Sequence, residues 1–140
     1  RLAKLPAILP PAHPIGAAAG IANLKLIDEL GLVKNAGDVG AHFKQALLDA
    51  VGDHPNVGDI RGEGLLCAVE FVEDRDGRRF FDPAEKVGYR VTAALLERGI
   101  IARAMPQGDI IGFAPPFCLS TAEADDIAGN LKAAVADALE

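Results

Sequence analysis

The chain has 140 residues, of which 50% are hydrophobic and 24% are charged, so its size and composition suit one globular domain with a buried core. Its formal net charge is −6 and its basic residues do not cluster, which argues against binding to nucleic acid or to an anionic membrane surface. No stretch is long and apolar enough to predict a transmembrane helix.

The first part of the chain predicts an extended lead-in followed by two helices. Residues 1–12 contain three prolines and show no helical or strand period. Pro14 suits the first turn of a helix, and apolar or small residues recur at helical spacing from Ile15 to Leu30. Small side chains in this helix would let another backbone approach closely, although an ordinary alanine-rich helix explains them equally well. A second helix, with one apolar face, is predicted from about Val33 to Val51.

The middle of the chain predicts two strands and a third helix. Val57–Gly64 is predicted to form a short strand and a tight turn. Leu65–Val72 is a nearly continuous apolar run, which is typical of a strand buried on most of its surface. After a charged turn around Asp76 and Gly77, Pro83 is predicted to open a helix that ends at Gly99.

The last third predicts a strand pair and a final helix. Ile100–Ala102 and Ile110–Phe113 are predicted as two short strands, with Arg103 between them. Ser120 and Glu123 have the spacing of a capping box at the start of the last helix. The order α-α-β-β-α-β-β-α predicts an α+β fold in which a mostly antiparallel sheet of about four strands packs with helices.

The residues alone indicate no catalytic centre and no metal site. Gly62-Glu63-Gly64 lacks the rest of a dinucleotide-binding fingerprint, so we interpret it as a turn that needs positive φ. The cysteines Cys67 and Cys118 lie in apolar stretches, which predicts buried, reduced thiols in a cytoplasmic protein. The histidines show no metal-ligand spacing with each other or with the cysteines; they are His13, His42 and His54.

Arg61 and Arg103 lie in or beside predicted strands and leave two interpretations open. Each arginine could form a surface or structural ion pair, or its planar guanidinium could bind a carboxylate ligand. Glu70, inside a predicted strand, needs either a partner or contact with solvent.

Three separated segments resemble class III, or omega, pyridoxal-phosphate aminotransferases in the order and spacing of that family. They are HPIGAAAGIANLKLIDELGLVKNA (His13–Ala36), VGDIRGEGLLCAVEFVED (Val57–Asp74) and GIIARAMPQGDIIGFAPPFCLSTAEADDI (Gly99–Ile127). The resemblance implies that residues 13–140 are the C-terminal small domain of a fold-type I enzyme, together with its connecting helix. It also implies a homo-oligomer, a dimer in the family, and transfer of an amino group between an amine or amino acid and a keto acid.

The resemblance further implies that Arg103 binds a substrate carboxylate, because in many omega-aminotransferases the arginine at this position swings in for carboxylates and out for apolar amines. Pyridoxal phosphate is the family's cofactor, but no segment here resembles the lysine motif that holds it. The lysines lie in the lead-in or at polar helix positions; they are Lys4, Lys25, Lys34, Lys44, Lys86 and Lys132. We therefore expect this chain alone to hold no cofactor and to be catalytically incomplete. The alternative is a free-standing α+β module that binds an amino or keto acid, or a partner protein, without catalysis.

Overall fold

A computed structural model describes residues 13–139, and the predicted α+β class is confirmed. Four helices and four strands follow one another in the predicted order: α1 (Pro14–Glu29), α2 (Leu32–Val51), β1 (Val57–Glu63), β2 (Leu66–Phe71), α3 (Val87–Glu97), β3 (Arg103–Ala104), β4 (Ile110–Phe113) and α4 (Thr121–Leu139). The extended conformation predicted for residues 1–12 lies outside the described residues. None of the helices described has both the length and the hydropathy needed to cross a membrane.

The chain divides into two compact units, one reaching Val33 and the other beginning at Lys34. Helix α1 belongs to the first unit, and none of its residues is buried in the described structure. Its large apolar side chains are strongly exposed: Ile15 by 74% and Leu24 by 67%. The close packing considered for its small residues stays a prediction.

The second unit contains a four-stranded sheet in the order β1-β2-β4-β3, and all of its pairs are antiparallel. One face of the sheet joins three helices in a single buried cluster. Its members include Val69, Phe71 and Ile111 from the strands, Phe43 and Leu47 from α2, Val91 and Leu95 from α3, and Leu131 and Val135 from α4. Alternation along β2 explains this arrangement, because every second residue of a strand points to the same face.

Helix α2 packs closely on the turn between β1 and β2. The ring of Phe43 meets the ring of Phe113 edge to face, with centroids 5.8 Å apart. One turn earlier in α2, a Cβ added at Gly40 would lie only 2.2 Å from the carbonyl carbon of Gly64. Gly64 has φ +54°, so the predicted turn with positive φ is confirmed.

The predicted capping box at the start of α4 is confirmed. The backbone N–H of Ser120 donates to Glu123 Oε2 at 2.8 Å, and the N–H of Glu123 donates to Ser120 Oγ at 3.3 Å. The hydrogen bonds from the Ser120 backbone and hydroxyl lower the pKa of the Glu123 carboxyl.

The start predicted for the third helix is wrong, because Pro83–Glu85 form only a 3₁₀ turn and α3 begins at Val87. Lys86 separates the two with φ 50°, a left-handed conformation that an α-helix cannot continue through. The cap of α3 comes from elsewhere in the chain, since Asp109 Oδ1 accepts the Gly88 N–H at 2.9 Å.

The strand predicted for Ile100–Ala102 is also wrong. The Ile100 N–H donates to Leu95 O at 3.0 Å, so the backbone of this residue caps the C-terminal end of α3. The side chain of Ile101 is 88% exposed, and strand pairing begins only at Arg103, opposite Gly112.

The two cysteines differ in burial. Cys67 is buried, as predicted, because it lies on the core side of β2. The prediction for Cys118 is wrong, because this residue follows β4 in an irregular connection and its side chain is exposed.

We expect Gly40→Ala to lower the free energy of unfolding by about 1–3 kcal/mol, because the new methyl group would overlap the backbone of Gly64. Gly37→Ala is the matched control in the same helix. No atom lies within 4 Å of a Cβ at Gly37, so this change should stabilise the protein by about 0.5–1 kcal/mol. Urea unfolding of both variants measures the difference, and equal stability of the two would contradict the packing described.

Candidate functional site

A row of four residues crosses the face of the sheet that is turned away from the core. In the strand register, Arg61 faces Ala68, Ala68 faces Gly112, and Gly112 faces Arg103. Cross-strand partners share a face of the sheet, so all four point the same way. The row therefore carries one arginine on each edge strand and two small residues between them.

A groove of about 370 Å³ lies along this row. It is lined by both arginines and by largely apolar residues, among them Ala68, Leu66, Met105 and Ala114. Gly112 keeps it open, since a Cβ at that position would lie 2.5 Å from Met105 Cε. The site is thus an apolar groove with a guanidinium on each side.

The charge of Arg61 is neutralised by two carboxylates. Its Nη1 donates to Glu70 Oε2 at 2.6 Å and to Asp59 Oδ2 at 2.8 Å. These bonds, that to Asp59 first, raise the pKa of the Arg61 guanidinium. The ion-pair interpretation of Arg61 is confirmed, and of the two possibilities left open for Glu70, a partner or contact with solvent, the structure shows a partner, Arg61. Arg61, Asp59 and Glu70 together have a formal charge of −1, so this group of side chains does not attract a further anion.

Arg103 differs from Arg61 in its surroundings. It is exposed, and it lies on β3, an edge strand of two residues. Within residues 13–139 its guanidinium has no ion-pair or hydrogen-bond partner, whereas seven other ion-paired contacts are present. The structure therefore leaves all five guanidinium N–H groups of Arg103 available to a ligand. Its role in carboxylate binding stays a prediction.

The groove contains no lysine among the residues that the structure describes. Lys44, the least exposed lysine of that part of the chain, donates instead to Gly62 O at 3.4 Å. Cys67 contributes to the wall of the groove, but its thiol lies on the core side of β2, and burial raises the pKa of that thiol, which makes it a poor nucleophile.

The histidines play no part in this groove. His42 Nε2 lies 2.7 Å from Asp125 Oδ1 and joins α2 to α4 at the surface. Across residues 13–139, no three or more His, Cys, Asp or Glu side chains are placed to hold a metal ion.

The residues that shape the groove between the arginines were not predicted from the sequence. Ala68, Gly112 and Met105 lie on three different strands or strand ends, and only the order β1-β2-β4-β3 brings them together. A signal for one of them was present, because a glycine inside an apolar strand such as Ile110–Phe113 often marks a close approach of another group.

We expect Arg103→Ala to change the free energy of unfolding by less than about 0.5 kcal/mol, because Arg103 has no partner to lose in the described structure. Arg61→Ala is the comparison. It should cost about 1 kcal/mol, through the loss of two exposed ion pairs and the repulsion left between Asp59 and Glu70. Urea unfolding at low and high salt measures both variants, and only the Arg61→Ala effect should shrink with salt. If Arg103→Ala proves as destabilising as Arg61→Ala, Arg103 is a structural residue.

The known proteins that this chain resembles belong to one family. A model of the class-III aminotransferases matches residues 11–135, two residues further toward the N-terminus than the resemblance noted from His13. The diaminobutyrate–2-oxoglutarate transaminase of Halomonas elongata is 50% identical over 123 residues, which are 88% of this chain and 26% of the relative. The adenosylmethionine-8-amino-7-oxononanoate aminotransferase of Anoxybacillus flavithermus is 30% identical over 91% of this chain and 28% of its own length.

Solved structures agree with the sequence matches. A transaminase from work on ancestral reconstruction superposes with a TM-score of 0.88 at 55% identity, over 90% of this chain and 28% of that one. The (S)-enantioselective omega-transaminase of Thermomicrobium roseum superposes with a TM-score of 0.84 at 38% identity, over 91% of this chain and 28% of that one. The chain therefore spans about a quarter of the length of the relatives it matches.

Proposed function

The chain belongs to the class-III aminotransferases, and we propose that it is the C-terminal small domain of such an enzyme, with α1 as the connecting helix. In this proposal the domain comprises residues 13–140. The chain matches only 26–28% of the length of each relative, which supports the interpretation that it is one part of an enzyme and not a whole enzyme. The activity then belongs to a larger protein: transfer of an amino group between an amine or amino acid and a keto acid.

Pyridoxal phosphate supplies the reactive aldehyde and the electron-withdrawing ring in this family's chemistry. The residues described here do not fit the role of holding it. The cofactor needs a lysine beside the substrate site, and no lysine of the described part of the chain lines the groove between Arg61 and Arg103. Lys25, Lys34, Lys86 and Lys132 are all exposed, and Lys44 is half-buried against Gly62. We therefore assign cofactor binding to the rest of the enzyme and derive no chemical step from this chain.

The contribution we propose for this chain is substrate recognition by Arg103. The observation that carries it is the exposed guanidinium at one side of an apolar groove, without a partner among residues 13–139. Arginine presents a planar fork of N–H donors that matches the two oxygens of a carboxylate. The ligand we propose is an amino or keto acid with a carboxylate for Arg103 and a carbon chain for the groove. The Halomonas relative, named for diaminobutyrate and 2-oxoglutarate, supports this class of substrate.

The exposure of Arg103 also suits an arginine that withdraws when the substrate has no carboxylate. Withdrawing an exposed arginine from an ion pair within the protein costs at most about 1 kcal/mol, and Arg103 has no such pair within residues 13–139. Breaking a buried pair would cost about 3–5 kcal/mol, which would oppose such a movement. Arg61, already bound by Asp59 and Glu70, is unsuited to this role.

We also propose that the enzyme is a cytoplasmic homo-oligomer. The exposed apolar side chains of α1, such as Ile15 and Leu24, support burial of this helix against other protein surface. Cys67 and Cys118 are both free thiols, which suits a reducing compartment.

The proposed function is tested in a chimera in which this chain replaces the matching quarter of the Halomonas relative. Arg103→Ala should lower kcat/KM for 2-oxoglutarate by about ten- to a hundredfold, because a charge-assisted hydrogen-bonded pair is lost. For a simple aldehyde acceptor the change should be smaller than about threefold, because no carboxylate is bound. Steady-state kinetics with both acceptors measures the split.

Arg78→Ala, at an exposed arginine outside the groove, is the control and should leave both acceptors unaffected. The isolated chain should show no turnover, and borohydride should trap pyridoxal phosphate on no single lysine. Equal losses for the two acceptors would contradict the carboxylate role. A stoichiometric adduct on one lysine of the isolated chain would contradict the assignment of the cofactor site to the rest of the enzyme.

A further inference from the structure

A second cavity, of about 170 Å³, lies where the tip of the β3–β4 hairpin meets the start of α3. The chain has six phenylalanines, one tyrosine and no tryptophan, and three of these seven rings line this cavity. They are Phe80, Phe81 and Tyr89, and prolines, Met105 and the hairpin residues Gly108 and Asp109 complete the walls. The cavity thus gathers aromatic rings outside the core, although the chain is poor in them.

Two of these rings are more exposed than packing alone would favour. Phe80 is 64% exposed and Tyr89 is 55% exposed. Exposed apolar surface beside a concave site is typical of a place where a ligand binds. Phe81, by contrast, is half-buried against the core and forms a fixed wall.

Two polar groups at the cavity are unused in the described part of the chain. The ammonium group of Lys86 and the hydroxyl of Tyr89 have no ion-pair or side-chain hydrogen-bond partner within residues 13–139. An aromatic wall with a few convergent polar groups is the usual composition of a small-molecule site. Both groups can donate a hydrogen bond to an oxygen of a ligand.

The two charged groups in the wall of the cavity, those of Lys86 and Asp109, differ in whether they are already bound. Asp109 is the acidic residue in its wall, and Asp109 Oδ1 is already bound to the Gly88 N–H at 2.9 Å. That contact places the negative charge of Asp109 at the N-terminus of α3, whose dipole offsets it. The charge of Lys86 is then left to attract a ligand of opposite sign.

We propose that this cavity binds a small carboxylate with a single aromatic ring, the ring lying among Phe80, Phe81 and Tyr89 and the carboxylate meeting Lys86. The volume of about 170 Å³ suits one six-membered ring with a short acidic substituent. This site shares Met105 with the groove of Arg103 and is otherwise lined by different residues, and it does not depend on the proposed aminotransferase role. No chemical step is involved, since the site only binds.

The backbone conformation of Lys86 allows its side chain to be removed without destabilising the fold. Lys86 has φ 50°, a left-handed conformation in which glycine is less strained than lysine. Lys86→Gly therefore removes the cation while relieving backbone strain, so that loss of binding is not explained by unfolding. Arg78 has φ 51° and does not line this cavity, so Arg78→Gly is matched in both charge and backbone effect.

The emission of Tyr89 reports on the cavity directly, because it is the only tyrosine and there is no tryptophan. Titration of the 140-residue chain with phenylacetate should change this emission in a saturable way. Acetate, which lacks the ring, and benzylammonium, which has the opposite charge, should leave the emission unchanged. Saturable binding of benzylammonium, or no saturable change with phenylacetate, would overturn the proposal.

The two glycine variants decide which group binds the carboxylate. Lys86→Gly should weaken phenylacetate binding by about tenfold, while Arg78→Gly should leave it unchanged. Benzyl alcohol, a neutral probe of the rings, should bind Lys86→Gly as well as it binds the unmodified chain. Equal phenylacetate affinity in the unmodified chain and in Lys86→Gly would show that Lys86 does not bind the carboxylate, and would overturn the site as proposed.

Discussion

The antiparallel pairing of β2 with β4 is the constraint on which the rest of the structure depends. It sets Cys67 opposite Phe113 and Val69 opposite Ile111, and these four side chains all belong to the buried cluster. A shift of this register by one residue would exchange the two faces of the strands and expose the core. The same register places Ala68 beside Gly112 on the other face, so the core and the groove are fixed by one set of hydrogen bonds.

The two edge strands then give the arginines of the groove different surroundings. In β1 the register shift between Val57 and Asp59 places Asp59 opposite Glu70, and Arg61 binds both carboxylates. Strand β3 has only two residues and carries no acid. Arg103 therefore shares the row of Arg61 but keeps its charge unpaired in the described structure. This asymmetry is what makes one arginine a structural residue and the other a residue available for binding.

Much of the fold follows from local patterns, and the differences have local physical causes. The apolar spacing of α2 and α4 and the capping box at Ser120 predicted these helices well, because each signal acts within one or two turns. The start of α3 was missed because its cap, Asp109, lies 21 residues further along the chain. The first strand of the last pair was misplaced because apolar Ile100 and Ile101 look like a strand, although Ile100 closes the end of α3.

The site was predictable only in part for a similar reason. Arg103 was identified from its position in the sequence and from family resemblance, and the pairing of Arg61 was one of two open interpretations. The strand order has no local signal, and the groove has only that of Gly112 inside an apolar strand, because both arise from pairing between strands separated by a helix. The burial predicted for Cys118 was wrong for a related reason: the apolar residues around it do not show whether that segment is a buried strand or an exposed connection.

The central claim is that Arg103 is available to a carboxylate and Arg61 is not. The most direct test is NMR of the guanidinium Nε–Hε groups in the 140-residue chain during titration with glutarate, the signals being assigned with Arg61→Lys and Arg103→Lys variants. We predict a saturable shift and reduced mobility of the Arg103 signal, while the Arg61 signal stays where it is. A shift of Arg61 as large as that of Arg103, or an Arg103 signal already rigid without ligand, would contradict the account.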